Sequence, residues 1–276
     1  MVEVQNFTFG LLNPALAYVM SCLGCFLGLR CTTRARALAG MARARWLLLA
    51  GLSIGTTGIW VMHFIAMLGF SIPEETIRYN VPVTILSMLI AVAVVSIGLL
   101  IVGFGGEGLT PLLTGGTIIG LGVASMHYMG MAAMRMPETM GYDPVLLALS
   151  VVIAIVAGTA ALWAALRLGG LWSTLVASLI MGVAVSGMHY TGMAALRAYA
   201  ASPGASLTAM GSGATGSEFL LPLIMGISVL AFLLAAIVTL APTEAEIRED
   251  AELMARIAKL SKDLAERHGQ LTARPV

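Results

Sequence analysis

Trp60–Met67 reads Trp-Val-Met-His-Phe-Ile-Ala-Met, Ser125–Met131 reads Ser-Met-His-Tyr-Met-Gly-Met, and Gly187–Met193 reads Gly-Met-His-Tyr-Thr-Gly-Met. Aligned on histidine, each copy has Met at −1 (Met62, Met126, Met188), an aromatic ring at +1 (Phe64, Tyr128, Tyr190) and Met at +4 (Met67, Met131, Met193). The histidines His63, His127 and His189 are 64 and 62 residues apart, so the chain is a repeat protein. A single His–Met pair on an apolar helix is ordinary core packing, because methionine fills gaps well. Packing asks only for apolar bulk, however, and does not ask for the same imidazole three times.

On a helix, residues four apart share a face, which puts each histidine beside its +4 methionine, with the −1 methionine about a quarter-turn away. Imidazole with soft thioethers suits copper, Cu(I) especially, better than magnesium or calcium, which take oxygen ligands. The expected metal ligands are therefore His63, His127 and His189 with Met62, Met67, Met126, Met131, Met188 and Met193.

The sequence around the motifs is that of a membrane protein. Of its 276 residues 59% are hydrophobic and only 11% charged, with mean hydropathy +0.94. Soluble domains carry roughly 25% charged residues. Apolar stretches near 11–29, 46–70, 82–103, 110–134, 145–167, 172–196 and 219–241 each suffice for a membrane-crossing helix. Lipid leaves backbone groups no water to bond, so such long continuous segments must be helices. The expectation is an all-α membrane bundle: one lone helix, then three two-helix repeats, each pairing a motif helix with a return helix that starts near Pro82, Pro144 or Pro222. An axis along the membrane normal would bring the motif helices together at the centre.

Basic residues set the expected orientation. With the N-terminus outside and the C-terminus cytoplasmic, the inner segments hold twelve Lys/Arg against Arg78, Arg135 and Arg197 outside, as the positive-inside rule requires. The inner set includes an arginine-rich loop, Arg30–Arg45, expected at anionic head groups. A cleaved signal peptide is not expected, since no Lys or Arg precedes the first apolar run within ten residues. Each histidine falls seventeen residues after Trp46, Thr110 or Trp172, so all three are expected at one depth, about 25 Å from the inner start at about 1.5 Å per residue. Helix C-termini converging there would favour a cation. Ionisable groups inside a membrane are functional by default.

Cys22, Cys25 and Cys31 lie toward the opposite side; their odd number argues against a disulfide framework, and they read as small buried residues. Arg135 and Arg197, eight residues after their histidines, either neutralise a carboxylate or mark the lipid boundary, and the Gly/Ser-rich Ala198–Ser217 reads as a flexible loop or lid. Beyond Pro242 the composition turns acidic, with Ile247, Met254, Ile257, Leu260 and Leu264 at helical spacing. Residues 242–276 are expected to form a cytoplasmic amphipathic signalling helix with partial heptads, a homodimer contact, cut short of an output domain; His268 there reads as solvated. No basic-aromatic surface suggests nucleic acid. The motif helices hold no acid–base pair, triad or phosphate cradle, so no enzymatic activity is expected of the membrane region.

One MHF-type and two MHY-type motifs, each closing on a Gly/Ala–Met step, resemble the MHYT domain family over about residues 7–241. The resemblance implies a seven-helix sensory domain of the bacterial inner membrane, commonly fused to diguanylate cyclase, cyclic-di-GMP phosphodiesterase or histidine kinase domains. It also implies copper on the motif Met and His residues, sensing O2, CO or NO or a redox change. Departures are Phe64 in the first copy and Met129 where the third has Thr191; neither removes an expected ligand. Two other readings stand beside it. One is a haem protein, since histidines on facing helices also hold haem iron. The other is a copper or small-molecule permease, for which the inner halves of the motif helices offer few polar residues.

Overall fold

The computed structural model describes residues 4–73, 75–106, 108–199 and 213–240, with residues 252–254, 256–257 and 260 of the tail. Among the described residues seven helices are long and apolar enough to cross a membrane: α1 (Leu12–Arg36), α2 (Gly40–Met67), α3 (Val81–Gly105), α4 (Leu109–Ala132), α5 (Pro144–Arg167), α6 (Leu171–Ala195) and α7 (Leu221–Leu240, entered through the π-turn Gly216–Leu220). The chain is thus a multi-pass membrane protein of the expected all-α class. The return helices start as the sequence indicates. Asn80 accepts from the Val83 amide to cap α3, and Asp143 accepts from Val145 and Leu146 to cap α5, each just before a proline in the first turn.

Helices α1 to α6 pack in chain order into a closed ring, because α1 lies against both α2 and α6. The motif helices α2, α4 and α6 therefore alternate around the axis with α1, α3 and α5, so the first helix takes the place beside α6 that a third return helix would fill. Helix α7 exposes Met225, Val229, Phe232, Leu233 and Ile237 and buries only one side, through Leu220, Ile224, Ala231, Ala235 and Val238. Close approach of α1 and α2 depends on Gly24, where a Cβ would collide with the Gly58 backbone.

At one end of the ring the segments after the motif helices form a small cap. Strand β1 (Arg78–Tyr79) lies between β2 (Met134–Arg135) and β5 (Ala214–Thr215), and β3 (Thr139–Tyr142) pairs with β4 (Leu196–Tyr199). Each motif helix ends on a neighbour's backbone: Asn80 N–H donates to Ala133 O, Asp143 N–H to Ala195 O, and Thr8 N–H to Gly69 O.

The opposite end departs from expectation. The arginine-rich loop Arg30–Arg45 is almost entirely helical: α1 continues to Arg36 and α2 begins at Gly40 rather than Trp46, leaving a three-residue turn. Its guanidiniums cap helix C-termini, whose last carbonyls lack intrahelical partners. Arg34 donates to Val238 O (2.6 Å) at the end of α7, Arg36 to Leu166 O (2.6 Å) and Leu168 O at the end of α5, and Arg43 to Gly103 O (2.8 Å) of α3 and Leu38 O (2.9 Å) after α1. An apolar-to-basic change in composition marked a loop in the sequence, whereas the carbonyls it serves belong to distant helices.

In the tail Met254, Ile257 and Leu260 are helical and exposed; Ile247, Leu264, His268 and Glu74 lie outside the described residues, as do residues 200–212 of the expected loop or lid Ala198–Ser217, whose described flanks lie in β4, β5 and the π-turn.

Candidate metal centre

His63, His127 and His189 sit within two turns of the C-terminal ends of α2, α4 and α6 and meet on the ring axis. Their Nδ1 atoms face one another: His63 to His189 is 3.0 Å and His127 to His63 is 3.2 Å. The ring centroids lie 4.9, 5.0 and 5.1 Å apart with interplanar angles of 77°, 76° and 89°, a three-bladed arrangement. All three are at most 2% exposed. The expected common depth is thus met, although α2 starts earlier than α4 and α6 relative to its histidine.

Local sequence explains the aim of each ring. In α2 the stretch Ile54–Val61 winds as a π-helix just before Met62, with Ser21 of α1 donating to Gly58 O (2.8 Å) and Asn13 to Ile65 O (2.8 Å). π-Segments cluster at functional positions because the wider turn re-aims the side chains that follow. Glycine at +3 makes room for the preceding copy's imidazole. A Cβ on Gly130 would collide with His63 Nε2, and one on Gly192 with His127 Nε2; the first copy carries Ala66. The +1 aromatics stand edge-on to their own histidines at 4.7–4.9 Å and are themselves held from outside. Trp60 and Tyr79 flank Phe64, Tyr142 and the Ser150 hydroxyl hold Tyr128, and Phe7 stacks on Tyr190. Outside the helices, burial raises the Tyr79 phenol above its ordinary range and pushes that of Tyr142 up to about 12.

A small cavity of about 10 Å³ between the imidazoles is lined by the three histidines, by Ile59, Val123 and Val185, and by Met62, Met126 and Met188. Met67, Met131 and Met193 are buried but are not among its walls. The structure therefore gathers the three histidines with the −1 methionines, whereas the helical-face argument favoured the +4 set. Arg197 pairs with Asp143 at 3.6 Å in the half-exposed cap and donates to Ala194 O and Leu196 O; Arg135 is exposed in β2. Neither reaches the histidines. The three cysteines are free and outside the cluster.

Three neutral imidazoles cannot satisfy one another here. Each offers one N–H and one lone pair, yet His63 Nδ1 faces two other Nδ1 atoms at once, while the Nε2 atoms of His63 and His127 are buried with no hydrogen-bond partner. A cation among the Nδ1 atoms would accept their lone pairs and leave the protons on Nε2. Metal–imidazole bonds of about 2.0 Å put ligand nitrogens a little over 3 Å apart, so the spacing fits. The three histidines form a group able to hold a metal ion.

Sequence reading did not assign roles to the +3 glycines, Trp60, Tyr79, Tyr142, Asn13 or Ser21. Only the glycines left a signal, in their recurrence at Gly130 and Gly192.

The family model described as "MHYT: Bacterial signalling protein N terminal repeat" matches residues 57–115 and 120–178, which hold the first two motifs; the third lies beyond them. The chain is 42% identical over 199 residues to the cyclic di-GMP phosphodiesterase NbdA of Pseudomonas aeruginosa, covering 70% of this chain and 25% of that protein. It is 34% identical over 268 residues to the bifunctional diguanylate cyclase/cyclic di-GMP phosphodiesterase MucR of the same organism, covering 95% of this chain and 38% of MucR. Identity to the signaling protein YkoW of Bacillus subtilis is 30% over 187 residues, 65% of this chain and 23% of YkoW. The chain thus spans between a quarter and two fifths of the first two relatives. No solved structure matches it.

Proposed function

This chain belongs to the MHYT family of bacterial signalling proteins, and from that premise we propose that its membrane region is a copper-binding sensory input domain. His63, His127 and His189 hold the ion, with Met62, Met126 and Met188 nearest as thioethers and Met67, Met131 and Met193 as further candidates. The observation that carries this reading is the convergence of three buried Nδ1 atoms that lack protons enough to bond one another. Copper is favoured over harder cations because imidazole and thioether line the cavity and no carboxylate does. A bound copper ion supplies an exchangeable redox-active centre able to take a diatomic ligand such as O2, CO or NO. The imidazoles bind it, the +1 rings fix their orientation, and the capped end excludes water. A haem would need a slot between the histidines, and about 10 Å³ does not offer one.

In the proposed arrangement residues 1–241 form the sensor in the bacterial inner membrane, with the N-terminus outside and the C-terminus cytoplasmic. Residues 242–276 pass the signal on and supply a dimer contact. The output is a fused cyclic-di-GMP enzyme domain, which the relatives' names and greater lengths support, with a histidine kinase domain as the alternative.

The test is metal analysis of the purified chain beside a variant with His63, His127 and His189 all replaced by Ala. Stoichiometric copper in the parent and none in the variant is expected. Equal copper in both would defeat the ligand assignment, and a Soret band with stoichiometric iron would replace copper by haem.

A further inference from the structure

A cavity of about 50 Å³ lies on the ring axis between the helices, beside the point where the histidines of α2, α4 and α6 meet. All six ring helices line it, through side chains such as Val95, Ile119, Ala154, Leu162 and Met181. Its polar wall is a single thiol, Cys25. Ile59, Val123, Val185 and Met188 belong both to this cavity and to the small one between the imidazoles, so the two adjoin through a collar four side chains wide. At its other end Leu99 and Ala165 are shared with a cavity of about 120 Å³ beside Thr32, Arg36 and Arg43. The histidine end is closed, since Phe70, Ile72, Tyr79, Met134 and Leu196 are at most 5% exposed.

We propose that the axial cavity is a binding site for a small uncharged apolar molecule, and that such a molecule reaches the histidine centre along the axis rather than through the cap. Buried water needs two to four polar partners, and one thiol does not supply them, so a cavity with these walls stays dry and takes apolar guests. An ion is excluded more strongly, because stripping its hydration shell without compensating partners costs far more than the passage could return. The same argument weighs against permeation of copper along this route. In placing the guest beside a metal the inference rests on the copper-site reading; the cavity and its guest do not.

Xenon is the probe. Crystals of the full chain pressurised with xenon should show one site between Val123, Met181 and Val185. Ala154→Phe, which fills the cavity, should abolish that site while bound copper stays unchanged. Val185→Ala, which enlarges it and avoids overpacking, should raise xenon occupancy. Ordered water, a lipid or detergent chain in the cavity, or xenon found only on the lipid-facing surface overturns the proposal, as does xenon occupancy indifferent to both substitutions. A wild-type chain that binds xenon on the axis but no copper leaves the cavity standing and removes the metal reading.

Discussion

The two ends of the bundle solve one electrostatic problem differently. At the arginine end the C-termini of α1, α3, α5 and α7 gather, and Arg34, Arg36 and Arg43 bring covalently attached cations to their carbonyls. At the histidine end α2, α4 and α6 converge with the same partial negative charge, but the side chains at their meeting point are imidazoles with lone pairs turned inward. A guanidinium is a permanent cation; a metal held by histidines can be exchanged, oxidised or given a further ligand. The arginine end is fixed by sequence, and the histidine end is where the molecule can change.

The sharpest way to break that contrast is to remove the proposed metal. A ligand present at about 100 times its Kd stabilises the folded state by roughly 2.7 kcal/mol, so chelation should lower the unfolding temperature markedly. Hydrogen exchange should then rise at the ends of α2, α4 and α6 and stay unchanged around Arg34–Arg43. Uniform exchange gains at both ends would mean that the centre is not separately stabilised.

Arg36→Ala should give the converse pattern. It strips the carbonyls of Leu166 and Leu168 of their charged donor, and losing hydrogen bonds to a charged group costs on the order of 1.5–3 kcal/mol. Thermal denaturation should shift down while metal content is retained. Arg36→Lys should recover only part, because one ammonium cannot reproduce a fork that reaches two carbonyls. Copper loss in Arg36→Ala would show that the two ends are coupled.

Within the histidine end, Gly130→Ala tests whether the rings are preorganised. The added Cβ would occupy the space of His63 Nε2, and perturbing the groups that orient a metal ligand weakens affinity on the order of tenfold or more. Competition titration should show that loss with little change in the apo melting temperature. Ala66→Gly, on the copy that already has a Cβ there, should leave affinity nearly as it is.

How much of this was legible follows from the range of each interaction. Seven apolar segments and three His–Met motifs at similar spacing foretold seven helices and a shared histidine centre, because hydropathy and periodicity are local properties of the chain. The choice between Met62, Met126 and Met188 on one side and Met67, Met131 and Met193 on the other was not legible. It depends on how the π-stretch Ile54–Val61 and the crossing of the helices rotate each face toward the axis. The arginines were read as a loop because their partners, Val238, Leu166 and Gly103, are 60 to 204 residues away. Closure of the ring by α1 likewise rests on contacts between the first and sixth helices that no local pattern announces.

The smallest effect belongs to an ion pair in the cap at the histidine end. Arg197 lies 3.6 Å from Asp143, both more than a third exposed, and exposed pairs contribute roughly 0–1 kcal/mol. Asp143 also caps α5 through the Val145 and Leu146 amides, a role worth typically about 1 kcal/mol. The two roles separate by substitution: Asp143→Asn keeps a capping oxygen and gives up the charge, whereas Asp143→Ala gives up both. If Arg197 serves only the rim, Arg197→Ala and Asp143→Asn should each move the unfolding transition by less than Asp143→Ala does. Neither should change copper affinity, since the pair stays outside the cavity formed by the imidazoles. A clear loss of affinity in Arg197→Ala would instead make this arginine part of the field that sets the charge of the centre, and the division between a fixed end and an exchangeable one would have to be redrawn.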